Sequence, residues 1–148
     1  MIKILSPLLI FTFSAMAFAA SSTPRAPAES SPQLTVRITG LEDDRGKVIV
    51  ALFDTEKDWL KKPLANLTVT PKNRTAVATF TGLKPGTYAA SVIADQNNNG
   101  ELDTNFLGMP TERYGFSNNA TGTFGPASFA DASFDYTGAQ QEIAIEVE

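Results

Sequence analysis

The sequence predicts an all-β domain, an antiparallel two-layer sandwich of about seven strands, and three observations carry that prediction. Short segments alternate apolar and polar residues with a period of two. Clusters of Gly, Pro, Asn and Asp separate them, as turns require. No segment sustains the 3.6-residue period of a long helix. A small closed barrel is the alternative arrangement of the same strands.

The first strand starts at Gln33, where Leu34, Val36 and Ile38 face one way and Thr35, Arg37 and Thr39 the other, and Gly40 ends it. Asp43-Asp44-Arg45-Gly46 reads as a turn. Lys47-Val48-Ile49-Val50-Ala51-Leu52-Phe53 is nearly all apolar, the pattern of a central strand covered on both faces, and it is expected to form a hairpin with the first strand. Between Thr55 and Lys62 one helical turn is expected, with Trp59 and Leu60 packing down and Pro63 stopping it. Trp59 reads as a plug at the edge of the core. Leu67 to Thr70 and Thr75 to Phe80 are two further strands around Pro71-Lys72-Asn73. In Thr81-Gly82-Leu83-Lys84-Pro85-Gly86-Thr87-Tyr88, Pro85 fixes φ and Gly86 is expected at the positive-φ position of a type II turn. Tyr88 to Ala94 is the next strand. The last, Glu142 to Val147, sets Ile143, Ile145 and Val147 against Ala144 and Glu146.

The N-terminal end has a different chemistry. Lys3, an apolar run from Ile4 to Phe18 and the small-residue pattern Ala17-Phe18-Ala19 are built like a cleavable secretory signal, expected over residues 1–19. The run is too short to span a bilayer, and no other segment is long enough to do so. Residues 20–32 hold three prolines and few large apolar side chains and read as a flexible leader. Residues 33–148 are then one domain, too short for two cores.

Composition excludes several functions. The chain carries 12 basic and 16 acidic residues, a net charge of −4 that repels nucleic-acid backbones and anionic lipid surfaces. It has no cysteine and no histidine, which removes disulfides, the usual zinc ligands, the usual general base and every Ser-His or Cys-His nucleophile. No nucleic acid and no membrane insertion after signal removal are expected.

One loop stands out. Counting Asp95 as position 1, oxygen-bearing side chains fall at positions 1, 3, 5 and 9, namely Asp95, Asn97, Asn99 and Asp103, with Gly100 at 6 and Glu101 at 7. Alternate side chains in a tight coil can converge on one point, and a hard cation wants six to eight oxygens, so the spacing predicts a Ca2+ site of modest affinity, roughly 10⁻⁵ to 10⁻³ M. Position 12 is Phe106 instead of a bidentate glutamate, and a strand enters the loop, so this is no EF-hand. Asn105, Glu112 and Asp131 could supply missing oxygens, Glu112 first. The alternative is that Asn99-Gly100 is simply the type I′ corner of a hairpin, and the two readings can coexist. From Thr104 to Ser133 the chain alternates little but holds Phe106, Leu107, Met109, Tyr114, Phe116, Phe124 and Phe129. That much apolar surface predicts an ordered connection packed on one end of the sandwich.

Several stretches resemble the DUF2141 family, a group of small exported bacterial domains. They are Gly46 to Phe53, Phe80 to Ala89, Asp95 to Glu112, Tyr114 to Asn119, Phe124-Gly125-Pro126 and Phe129 to Ala132. The family pattern often has a histidine just before the loop aspartate, where this chain has Ala94. The turn from Gly82 to Tyr88 also resembles those of carboxypeptidase-regulatory and transthyretin-like domains, so the resemblance implies an Ig-like or transthyretin-like sandwich and brings no settled activity.

The expected function is an exported cell-envelope or secreted module, Ca2+-stabilised, with a structural or ligand-binding role. The expected metal ligands are Asp95, Asn97, Asn99, Glu101, Asp103 and Glu112. The alternative is a carbohydrate- or peptide-binding surface built on Tyr114, Phe116 and Phe124, whose partner would be a carbohydrate or an envelope protein. A glycoside hydrolase using Asp103 and Glu112 is the least supported, since no other catalytic group accompanies them; no enzyme is expected.

Overall fold

The structure, a computed structural model, describes residues 31–148. The signal peptide expected over 1–19, and all but the end of the expected leader, lie outside the described residues. Eight strands follow: β1 (Gln33–Thr39), β2 (Lys47–Phe53), β3 (Ala65–Val69), β4 (Ala76–Thr81), β5 (Gly86–Asp95), β6 (Tyr114–Phe116), β7 (Phe134–Tyr136) and β8 (Gln141–Glu146). They form a two-layer sandwich, as the alternation predicts, and not a barrel. One sheet has the order β4-β1-β8; the other has β3-β2-β5-β6, with β7 also on β5. The pairings are antiparallel except β1 with β8, which run parallel from Leu34 opposite Gln141 to Thr39 opposite Glu146.

Period-2 burial builds the core between the sheets. Leu34, Val36 and Ile38 of β1, Val48, Val50 and Leu52 of β2, and Ala90, Val92 and Ala94 of β5 all point inward and are buried. The most continuously buried strand is β5, where Tyr88 to Val92 are all buried, whereas β2 leaves Ile49 and Ala51 half-buried. The outer face of β5 is covered by a second cluster of Ala89, Phe116, Ala127 and Ala132, against which Trp59 and Phe129 pack.

Several expectations need correction. β1 and β2 do not form a hairpin; they lie in different sheets. Seven residues separate them, enough to step across the sandwich, and the step buries Leu41 and is pinned where the Asp44 carboxylate accepts the N–H groups of Asn73 and Arg74 at 2.9 and 2.6 Å. The left-handed glycine of the next turn is Gly82 (φ 72°), not Gly86, which instead begins β5 opposite Tyr136. The helical turn exists as a short 3-10 segment, Glu56–Asp58, with the Thr55 hydroxyl accepting the Asp58 N–H. Leu60 turns outward at φ 56° and does not pack down. Trp59 does: its indole N–H donates to the Ala127 carbonyl at 2.9 Å, and its ring meets Phe53, Phe116 and Phe129 with centroids 5.0 to 5.9 Å away.

Candidate functional site

The acidic loop starts where β5 leaves the sheet. Asp95 is the last residue of β5, opposite Lys47, and Gly46 lies directly against it. A Cβ on Gly46, which has φ 72°, would stand 2.1 Å from the Asp95 carbonyl oxygen, so only glycine lets the β1–β2 connection come this close. Asp95 is 2% exposed, and its carboxylate is turned back on its own loop. Oδ1 accepts the Asn99 N–H at 3.1 Å and Oδ2 the Gly100 N–H at 2.8 Å. Two side-chain turns follow: Asn97 Oδ1 accepts the Asn99 N–H and Asn99 Oδ1 the Glu101 N–H, at 3.1 and 3.0 Å. The left-handed residues are Asn98 and Gly100, so Asn99-Gly100 is not a type I′ corner.

Across the loop the Asn97 and Asn99 amide N–H groups both donate to the Asp103 carboxylate, Asn99 at 2.8 Å. Glu112, the candidate ranked first, does reach the loop. Its Oε1 accepts the Gln96 N–H at 2.9 Å and its Oε2 the Asp103 N–H at 3.2 Å, bridging the two ends. Sequence spacing thus picked residues that come together: Asp95, Asn97, Asn99, Asp103 and Glu112 form one hydrogen-bonded unit. Glu101 is exposed beside it. Asp131 serves elsewhere, receiving the Ser128 hydroxyl at the start of the short helix α1 (Phe129–Ala132).

The donor chemistry of this unit differs from what a calcium ion requires. A hard cation needs a shell of oxygens. Here the two side-chain turns fix each amide oxygen on a main-chain N–H, which points each amide nitrogen at Asp103. Among the described residues, no group of three or more Asp, Glu, His or Cys side chains is arranged to hold a metal ion. As arranged, the loop is held by hydrogen bonds to its own carboxylates.

The chain then makes a small hairpin, Thr104 opposite Pro110. Asn105 organises its tip: its side-chain oxygen accepts the N–H groups of Leu107 and Met109, and its carbonyl that of Gly108. Phe106, Leu107 and Met109 are 94%, 71% and 61% exposed, so the expectation that they pack on the sandwich fails for this part of the connection. Of the rest, Ala127 and Ala132 pack with Phe116 on Ala89 at the outer face of β5, while Tyr114 reaches the chain beyond β8 and Asn119 reaches β8 itself, its Oδ1 accepting the Glu146 N–H at 2.9 Å. Ser117 ties the connection to β5, its hydroxyl accepting the Ala90 N–H at 2.8 Å. Sequence reasoning missed the tip because it expected Phe106, Leu107 and Met109 to pack on the sandwich with the rest of the connection. The available signal was Asn105 three residues before Gly108, between Thr104 and Pro110, a self-contained turn.

The three aromatic residues proposed as a surface do not share an exposed face. Phe116 is buried among Trp59, Tyr114 and the outer cluster, Tyr114 is half-buried against it at 5.7 Å, and Phe124 is fully exposed. Tyr114 and Phe116 instead wall an open cleft of about 330 Å³, which Asn119, Thr121, Glu146 and Glu148 complete.

A family model described as "Uncharacterized protein conserved in bacteria (DUF2141)" matches residues 36–144. No curated protein matches the chain. A solved structure of a pilus-presented adhesin, in a cysteine-to-alanine mutant form, is similar at 18% identity and TM-score 0.22 over 80% of this chain. The chain spans 27% of that adhesin's length, and a likeness at that score carries no argument here.

Proposed function

Because this chain belongs to the DUF2141 family, we propose that it is an exported cell-envelope or secreted module with a structural or ligand-binding role, and not an enzyme. One observation carries this reading. The carboxylates of Asp95, Asp103 and Glu112 all accept hydrogen bonds from the loop itself, which supports a shape-holding role over acid and base work. The absence of histidine and cysteine supports it. Export rests on the N-terminal sequence pattern. Fractionation of the native host, with mass analysis of the mature N-terminus, tests it: a processed chain in the periplasm or medium is expected, and a full-length cytoplasmic chain would refute it.

A second reading is favoured by the cleft beside Tyr114. An aromatic wall facing carboxylates, an amide and a hydroxyl is suited to the apolar face and hydroxyls of a sugar, or to a short peptide. Titrating oligosaccharides against intact protein, with Tyr114→Ala as control, separates this from a purely structural role. In either reading calcium would take oxygens of Asp95, Asn97, Asn99, Glu101, Asp103 and Glu112 as its ligands, and the amides of Asn97 and Asn99 must first rotate to offer theirs. Calorimetry of metal-free protein tests that step, and absence of calcium heat would remove the ion.

A further inference from the structure

We propose that the hairpin tip Phe106-Leu107-Gly108-Met109 is a lipid-contacting finger that enters the outer apolar layer of a zwitterionic bilayer. Its side chains are the observation that asks for a partner: Phe106, Leu107 and Met109 stand in water at 94%, 71% and 61% exposure on a hydrogen-bonded hairpin. The tip is ordered with these side chains outward. Asn105 N–H donates to the Met109 carbonyl, Gly108 N–H to the Asn105 carbonyl, Leu107 and Met109 N–H to Asn105 Oδ1, and Thr111 N–H to the Asp103 carbonyl. Every main-chain donor from Leu107 to Thr111 is therefore satisfied inside the hairpin, and Pro110 has none to satisfy. A segment entering hydrocarbon must meet this condition, because lipid tails offer no hydrogen bonds.

Size and charge select among occupants. A specific protein interface takes roughly 20–30 residues a side, far more than four tip residues. The hairpin residues beside the tip, Thr104, Asn105 and Thr111, are polar and exposed, so the apolar contact ends with the tip. A single point of apolar insertion needs no such area. The net charge of −4, with this acidic loop at the base of the finger, disfavours an anionic surface, leaving zwitterionic headgroups. The contact is interfacial, for no helix among the described residues is long and apolar enough to cross a membrane.

The chain has no cysteine, so single labels can be placed cleanly. Leu107→Cys and, at the far end of β5, Thr137→Cys would each carry an environment-sensitive fluorophore. The three side chains carry at most about as much hydrocarbon as one myristoyl chain, whose membrane binding is itself marginal, so titration should reach about 5 mM lipid. On phosphatidylcholine vesicles the Leu107→Cys label should shift to the blue while the Thr137→Cys label stays water-like. Vesicles containing phosphatidylglycerol should bind no better at low salt. In sedimentation, Phe106→Ser with Met109→Ser should lower vesicle binding by roughly tenfold or more, and both residues are exposed, so the variant folds. No shift at Leu107→Cys, equal shifts at both labels, binding to anionic vesicles alone, or undiminished binding of the double variant would each overturn the proposal.

Discussion

Replacing Asp95 by alanine tests whether the acidic loop is held by its own carboxylates. The variant removes a 2%-exposed carboxylate that accepts two N–H groups, at 3.1 and 2.8 Å. Hydrogen bonds to a charged acceptor contribute about 1.5–3 kcal/mol each, so the pair is worth at most about 3–6 kcal/mol. Asn99 and Gly100 are exposed, and once released their N–H groups can bind water, which returns part of that sum. The net loss should be about 2–4 kcal/mol, a fall of about 2 M in the urea midpoint for a domain of this size. Asp95→Asn keeps one acceptor and should lose about half as much. Amide exchange at Asn99 and Gly100 should accelerate in both variants. The chelator arm is decisive: if Asp95 acts through main-chain N–H groups, wild type and variant stay apart in EDTA; if it acts through an ion, they converge. A midpoint change below about 0.3 M, or convergence in chelator, would refute the reasoning.

Three other perturbations address the frame around the loop. Gly46→Ala combines a left-handed backbone with a Cβ 2.1 Å from the Asp95 carbonyl oxygen, and should cost about 2–5 kcal/mol in urea unfolding; a loss under about 1 kcal/mol would show that the close approach is dispensable. Tyr136 is 2% exposed and its hydroxyl has no partner among the described residues, so Tyr136→Phe should leave the melting temperature unchanged or raise it, and a clear fall would reveal a hidden partner. Glu142 lies below its ordinary pKa of 4.5 because it accepts hydrogen bonds from Arg37 and faces that charge. A carboxyl lowered on folding stabilises above its unfolded pKa and loses that contribution as pH falls through the folded value. The small melting-temperature gap between wild type and Glu142→Gln should thus be present at neutral pH and close as the pH falls below 4.5 through the lowered folded value; a gap widening in acid would contradict the pairing.

Much of the sandwich was legible because each strand carries its own evidence. Leu34, Val36 and Ile38 announce one buried face without reference to any other segment, and so do Val48, Val50 and Leu52. What joins the strands was not legible. The β1–β2 hairpin failed because a connection of seven residues can fold back or step across the sandwich, and the choice rests on Asp44 reaching Asn73 and Arg74 far along the chain. The glycine assigned to the turn before β5 failed for a similar reason: Gly86 pairs with Tyr136, a partner no local pattern names.

The acidic loop was legible as a constellation, and its spacing suits two chemistries. A cation and a main-chain N–H are both electropositive, and both require oxygens at alternate positions of a tight coil. Asp95, Asn97, Asn99 and Asp103 therefore satisfy either demand by spacing alone. What separates the two is which atoms the amides aim at Asp103, and that follows from the side-chain turns at Asn97 and Asn99, which consume the amide oxygens. Glu112 then completes the loop as an acceptor of the Gln96 and Asp103 N–H groups, leaving its carboxylate no need of an ion to be stable there. A loop that orders itself can hold the adjoining Phe106–Met109 tip rigid whether or not calcium is present. A wholly ion-dependent loop would present that tip only when loaded. Calcium dependence of the tip's mobility is the point on which the two chemistries give opposite answers.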